Sequence, residues 1–160
     1  MHPVPDGFVD DYRVRTTAAM RSQLTAVAGI EYCLDAIEAA NVPYCVASSG
    51  THEKMRTTLV ITDLLRRFEG KLFSVTEVDR GKPAPDIFLH AARISNASPE
   101  TCCVIEDAPA GVTAGVAAGM TVFGYCALTP ERRLVEAGAH RTFDRMHHLP
   151  GLLNDEFQWD

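Results

Sequence analysis

A chain of 160 residues is about one domain long and can bury a core of its own. Hydrophobic residues make up 46% and charged residues 22%, the balance of a soluble globular protein, and the net charge of -6 without any run of Lys or Arg argues against a nucleic-acid binder. No stretch of roughly eighteen apolar residues occurs, and MHPVPDGFVDDYRVRTTAAM has no apolar leader segment, so a membrane span is not expected and a cytoplasmic protein is.

Taken in chain order, Gly7–Thr25, rich in Arg and Asp, reads as a solvated helix ahead of the first β-α unit. Helical periodicity over Gly29–Ala40 is followed by an apolar strand at Tyr44–Ala47, a helix over Thr51–Arg66 and a strand at Leu72–Thr76. A helix over Asp86–Ile94, a strand at Cys102–Glu106, a helix over Gly111–Ala118, a strand at Thr121–Tyr125, a helix over Pro130–Ala137 and a weak strand at Arg141–Phe143 complete the pattern. His147-His148 falls in what reads as a solvated polar tail. Strands alternating with helices over short connections predict a parallel sheet covered on both faces. Gly111, Gly115 and Gly119 recur every four residues, which predicts close helix–sheet packing along one face and a helix end at Gly119. The cysteines (Cys33, Cys45, Cys102, Cys103, Cys126) are odd in number and lack CxxC spacing, so they read as reduced core residues rather than as a disulfide framework or a zinc site.

In a sheet of this kind, ligands bind beyond the carboxyl ends of the strands, where helix N-termini present free N–H groups. Three polar clusters fall at such ends. Ser48-Ser49-Gly50 stands between a strand and a helix; Ser49 or Thr51 suits a helix cap, and the hydroxyls with backbone N–H groups suit an anion cradle. Lys82 lies in GKPAPDIF, where two prolines stiffen the loop, allow a cis Lys82–Pro83 bond and start a helix near Asp86. It is either a surface charge or a fixed counter-charge. Glu106 and Asp107 end a strand; Asp107 suits the cap of the next helix, and the two together suit Mg²⁺, which takes one or two carboxylates plus water and phosphate oxygens.

In this order VASSG, GKPAPDIF and VIEDAPAGVTAGVAAGM resemble the second, third and fourth motifs of the haloacid dehalogenase-like phosphatase superfamily. The likeness is closest to its β-phosphoglucomutase-like and sugar-phosphate phosphatase branch, and it covers about Val42 to Ala127. The resemblance implies a Rossmann-like α/β sheet and Mg²⁺-dependent phosphoryl transfer from a small phosphorylated metabolite through an aspartyl-phosphate. It implies that Ser48 binds the transferring phosphoryl group, with N–H groups around Ser49 and Gly50. Lys82 would neutralise charge on phosphate and nucleophile, and Glu106 and Asp107 would anchor Mg²⁺ directly or through water. Ala108 stands where the family often has Ser.

One departure is larger. The family's first motif, a strand ending in DxD that carries the nucleophile, has no counterpart; PVPDGFVDD would put Val4 in the nucleophile position with no apolar strand before it. By resemblance, residues 1–28 are then the remnant of a helical cap domain and residues 29–160 an incomplete core. The first strand, normally central between the strands carrying Ser48 and Glu106-Asp107, is missing. Unpaired strand edges, self-association through the open sheet and no turnover by these residues are the expected consequences. The alternative is a non-catalytic phosphate- or Mg²⁺-binding module, completed by a partner chain. His52, Arg56 and Arg80 are further candidates for the cleft.

Overall fold

The computed structural model of the chain describes Pro5 and residues 7–158, and strands and helices alternate in it where the apolar spacing places them. Helices α1 (Phe8–Gln23) and α2 (Ile30–Ala39) precede β1 (Val46–Ser48), α3 (His52–Ile61), β2 (Leu72–Ser74) and α4 (Asp86–Ile94). Then follow β3 (Cys103–Glu106), α5 (Pro109–Ala117), β4 (Thr121–Tyr125), α6 (Glu131–Glu136), β5 (Arg141–Phe143) and α7 (Leu149–Phe157). Val4 and Asp6 of PVPDGFVDD lie outside the described residues.

Every strand pair is parallel, and helices cover both faces. On one face α4, α5 and α6 bring Ile87, Phe88, Val112 and Leu134 against Phe73, Val104 and Val122. On the other, α2 and α7 pack Cys33, Ile37, Leu149 and Leu153 against Phe123 and Phe143. Alternation along β4 sends Val122 and Phe123 to opposite layers, both 0% exposed, and each such side chain contributes about 1.5–3 kcal/mol by leaving water.

The strands do not form one continuous sheet. β1 pairs only with β2, and β3, β4 and β5 form a second sheet in that order, so β1 and β3 present edges that no described strand covers. Burial follows this break: the centre of β4 is fully buried, whereas all three residues of β1 are only half-buried.

Local chemistry sets the element ends. Helix α5 closes at Gly119 (φ 74°), with Gly119 N–H donating to Val116 O (3.0 Å) and Met120 N–H to Gly115 O (3.2 Å), a glycine-terminated end of Schellman type. Helix α3 stops at Ile61, well before Arg66. Asp63 adopts φ 57° and Leu64 N–H reaches back to Leu59 O (2.8 Å), after which Leu65–Phe68 form a 3-10 turn. Thr57, Thr58 and Thr62 all bond their hydroxyls to carbonyls of the preceding turn, an alternative to helix propagation. His147 and His148 do not lie in a polar tail; they end a 3-10 turn that leads into α7, whose Leu149 and Leu153 are buried. Of the five cysteines only Cys33 is fully buried, and Cys45 is exposed. Among the described residues no helix is long and apolar enough to cross a membrane.

The glycine face of α5 carries a first prediction. A Cβ on Gly115 would come within 2.7 Å of Val122 Cγ2 and 3.3 Å of Val104, both in the core. Gly115→Ala should therefore destabilise the fold by about 2 kcal/mol through overpacking, although the same change at an exposed helix position would stabilise by about 1 kcal/mol. Urea unfolding midpoints distinguish the two, and a more stable variant would show that helix and sheet can separate.

Candidate active site

The carboxyl ends of β1 and β3 open on one cavity of about 410 Å³. Its wall contains Ser48, Ser49, Lys82, Glu106 and Asp107, five of the six site residues expected from sequence, together with Val46, Ala47, Ile105 and the first turn of α5. Gly50 is not in the wall; it stands behind Ser48, donating its N–H to Ser48 Oγ (3.0 Å).

Lys82 spans the break between the sheets. Its Nζ donates to Ala47 O at the edge of β1 (3.0 Å), forms an ion pair with the Glu106 carboxylate at the end of β3, and lies 4.5 Å from the Phe88 ring centroid. Both partners of the ion pair are nearly enclosed, with side chains 11% and 12% exposed. The loop that delivers Lys82 is held at both ends: Arg80 donates through Nε and Nη2 to the two oxygens of Asp86, each at 3.0 Å, which also holds the Asp86 carboxyl below its usual range. The Lys82–Pro83 bond is cis.

Glu106 rests on Gly111. A Cβ there would overlap the carboxylate carbon and both of its oxygens, so only glycine admits the side chain in this position. Asp107 does not cap α5. Ala108 is the N-cap, without a side-chain bond, and Pro109 opens the helix, where its missing N–H costs nothing. The Asp107 carboxylate is exposed, with no hydrogen bond or ion pair among the described residues. Asp107→Asn should thus change unfolding free energy by less than about 1 kcal/mol, the upper end of a carboxylate's interaction with a helix N-terminus. A larger loss in a urea titration would assign the residue to the helix instead of the cavity.

The loop after β1 is braced from the neighbouring strand. Thr51, not Ser49, caps α3, its Oγ1 accepting from Lys54 N–H (3.3 Å). Fully buried Ser74, opposite Ser48 in the β1–β2 register, donates its hydroxyl to Gly50 O (2.8 Å). In the sequence Ser74 is marked only as a serine within an apolar run, and its place opposite Ser48 comes from the strand pairing. His52, Arg56 and Arg80 do not enter the cavity wall: they pair with Glu77, Glu69 and Asp86 respectively. No thiol lines the cavity, and burial pushes Cys33 up to about 11 and Cys103 up to about 12, far from thiolate at neutral pH.

The donors suit a hard cation in part. Two carboxylates at the cavity mouth, one of them unengaged, match the one or two that Mg²⁺ takes from protein, while among the described residues no three His, Cys, Asp or Glu side chains converge.

Parallel strands between helix layers, with hydroxyl, ammonium and carboxylate groups gathered at the strand ends, define a Rossmann-like α/β protein with a polar cleft at its carboxyl edge. A family model described as haloacid dehalogenase-like hydrolase matches residues 4–119. Over 141 residues the chain is 36% identical to a 6-phosphogluconate phosphatase of Escherichia coli, covering 88% of this chain and 62% of that protein. Over 97 residues it is 37% identical to a β-phosphoglucomutase of Bacillus subtilis, covering 60% and 41%. A crystal structure of a HAD family hydrolase from Deinococcus radiodurans, with bound phosphate and sodium, matches with a TM-score of 0.82 and 31% identity, over 96% of this chain and 69% of that one. The chain belongs to the haloacid dehalogenase-like hydrolase family, and it spans less than two thirds of these two curated relatives.

Proposed function

We propose that this chain is the larger part of a Mg²⁺-dependent phosphatase that hydrolyses small phosphorylated metabolites, sugar phosphates foremost, through an aspartyl-phosphate. The observation that carries the reading is convergence: Ser48, Lys82 and the Glu106-Asp107 pair come from three separate loops and face one cavity. Ser48 keeps its O–H free to donate to a phosphoryl oxygen while its Oγ accepts from Gly50 N–H, and the exposed loop at Ser49 adds backbone N–H groups. The Lys82 ammonium offsets negative charge on the phosphoryl group and on an incoming carboxylate. Glu106 and Asp107 would hold Mg²⁺, which when bound neutralises phosphate oxygens in the transition state.

The nucleophile in this reading is an aspartate on a strand between β1 and β3, outside these 160 residues, so the chain alone binds and does not turn over. Residues 1–28 would then be the end of a helical cap that selects the substrate. The comparison with a 6-phosphogluconate phosphatase names the first substrate to try.

The test is a titration of the purified chain with inorganic phosphate, with and without Mg²⁺, followed by phosphate release from 6-phosphogluconate and p-nitrophenyl phosphate. Saturable binding that needs Mg²⁺, is lost in Asp107→Asn, and comes without hydrolysis is the expected result. Absence of phosphate binding would overturn the assignment of the cavity, and turnover by the isolated chain would overturn the assignment of the nucleophile. Binding that persists without hydrolysis after an Asp-bearing strand is fused to the chain would favour the non-catalytic module.

A further inference from the structure

We propose that Glu77, which stands outside the cavity wall, is a positioning residue of the phosphate-binding loop: acting through Ser74 and Gly50, it fixes the direction in which the Ser48 hydroxyl points. The inference rests on the phosphatase reading for what Ser48 binds, and adds to it the residue that holds the loop in its binding shape.

The route is a chain of hydrogen bonds across neighbouring segments. Ser74 N–H donates to Glu77 Oε2, and the Ser74 hydroxyl caps the 3-10 turn Val75–Glu77 that brings the carboxylate back to it. Thr76 N–H (3.2 Å) and Thr76 Oγ1 (2.9 Å) both donate to Ser74 Oγ. A hydroxyl has two acceptor sites and one proton. With both acceptor sites taken, the Ser74 proton goes to Gly50 O, at 2.8 Å. Gly50, with no Cβ to restrict its backbone, is the link that most needs such a hold. Its N–H donates to Ser48 Oγ (3.0 Å), which fills one acceptor site there and leaves the Ser48 proton for a phosphoryl oxygen. Each link orients the next, and Glu77 stands at the head.

Glu77 is itself held from two helices. His52 Nε2, at the start of α3, lies 3.3 Å from Oε2, and His90 Nε2, on α4, lies 3.9 Å from Oε1. His90 is fixed in turn by Arg93 Nη2, 3.2 Å from its Nδ1, and by an edge-on contact with the Phe73 ring. One carboxylate thereby joins the helix after the Ser48 loop, the strand beside Ser48 and the helix after the Lys82 loop. The Ser74 N–H, ahead of the two imidazoles, holds the Glu77 carboxyl below its usual range, so the anion persists at neutral pH. Ser74, Thr76, Glu77, His52 and His90 all stand outside the cavity wall, so none of them meets the phosphoryl group there. A carboxylate that served its own turn alone would not need the Ser74 proton directed at Gly50. Ser74 is 0% exposed, its hydroxyl must be satisfied inside the protein, and its proton is given to the loop.

The experiment compares Glu77→Ala, Glu77→Gln, Ser74→Ala and Gly115→Ala in the whole chain. One readout is titration with inorganic phosphate in the presence of Mg²⁺; the other is the Gly50 amide proton resonance in phosphate-free buffer. Glu77→Ala and Ser74→Ala should each weaken phosphate binding about tenfold, the worth of one hydrogen bond to a charged group. The double variant should bind no worse than the weaker single one, because both residues act along one chain. The Gly50 resonance should move upfield in each. Glu77→Gln keeps an oxygen for Ser74 N–H and should restore both readouts, whereas Gly115→Ala, destabilised in the core, should leave both unchanged in its folded fraction. If Glu77→Ala does not fold, Glu77→Asp, which keeps the charge but draws it back from Ser74 N–H, should move the Gly50 resonance the same way. An unmoved Gly50 resonance, additive losses in the double variant, or an equal loss in Gly115→Ala would each overturn the proposal and leave Glu77 as a cap of its own turn. If the parent chain bound no phosphate, the phosphatase reading would fall, and the Gly50 resonance would still decide whether Glu77 positions the loop.

Discussion

Lys82→Met is expected to lower stability by about 3 kcal/mol and to abolish phosphate binding in the same protein. The ammonium is enclosed, shares an ion pair with an equally enclosed Glu106, and donates to the Ala47 carbonyl from the other sheet. Methionine fills much of the same volume, so the loss is electrostatic: Glu106 is left beside Asp107 with no compensating charge. Breaking a buried ion pair from one side costs about 3–5 kcal/mol, and the open cavity, which lets water reach the remaining carboxylate, places this pair at the low end. The double variant Lys82→Met, Glu106→Leu removes both charges and should regain most of the stability while staying unable to bind phosphate. Urea unfolding of the two variants and the parent measures this directly. A loss below about 1 kcal/mol in the single variant would mean that the pair behaves as a solvated surface pair.

Most elements were legible from the sequence for a simple reason: β4 and α4 are fully patterned by burial, and their bounds agree with the apolar spacing. Helix α7 was not, because Pro150-Gly151 reads as a turn signal, and only the structure shows Pro150 in the first helical turn, where a proline is harmless. The premature end of α3 depends on Asp63 adopting a left-handed conformation, which composition does not specify. Periodicity also assigns strands without assigning neighbours. It cannot show that five parallel strands fall into two sheets, and the place of the break was anticipated through the family resemblance alone.

The site divides in the same way. Each loop was visible as a polar cluster at a strand end, yet the Lys82–Glu106 pair and the Ser74 brace exist only through tertiary approach. The cap at Ala108 was hidden because Asp107 is the better capping type, but the chain turns one residue later, at Pro109. His52, Arg56 and Arg80 each settle on a carboxylate outside the cavity wall, so their positions in the sequence said little about the cleft.

Gly111→Ala separates the site from the fold more sharply than any charge change. The added methyl would occupy the space now filled by the Glu106 carboxylate, and the nearest atoms are the far end of a flexible side chain rather than backbone. Glu106 can therefore rotate away at small steric cost, and the helix gains up to about 1 kcal/mol from replacing glycine. What rotation removes is the geometry: the carboxylate leaves Lys82 and its present place in the cavity wall. Stability should fall by less than the roughly 3 kcal/mol expected for Lys82→Met, because both charges remain, Lys82 keeps its bond to Ala47 O and the helix gain partly offsets the broken pair. Mg²⁺-dependent phosphate binding should weaken by about 10- to 100-fold, the range for groups that orient a metal ligand. Gly115→Ala, one turn along the same helix face, should show the reverse pattern, a loss of stability with binding retained in the folded fraction. If Gly111→Ala left phosphate affinity unchanged, Glu106 would be a structural counter-charge for Lys82, and the metal site would rest on Asp107 alone.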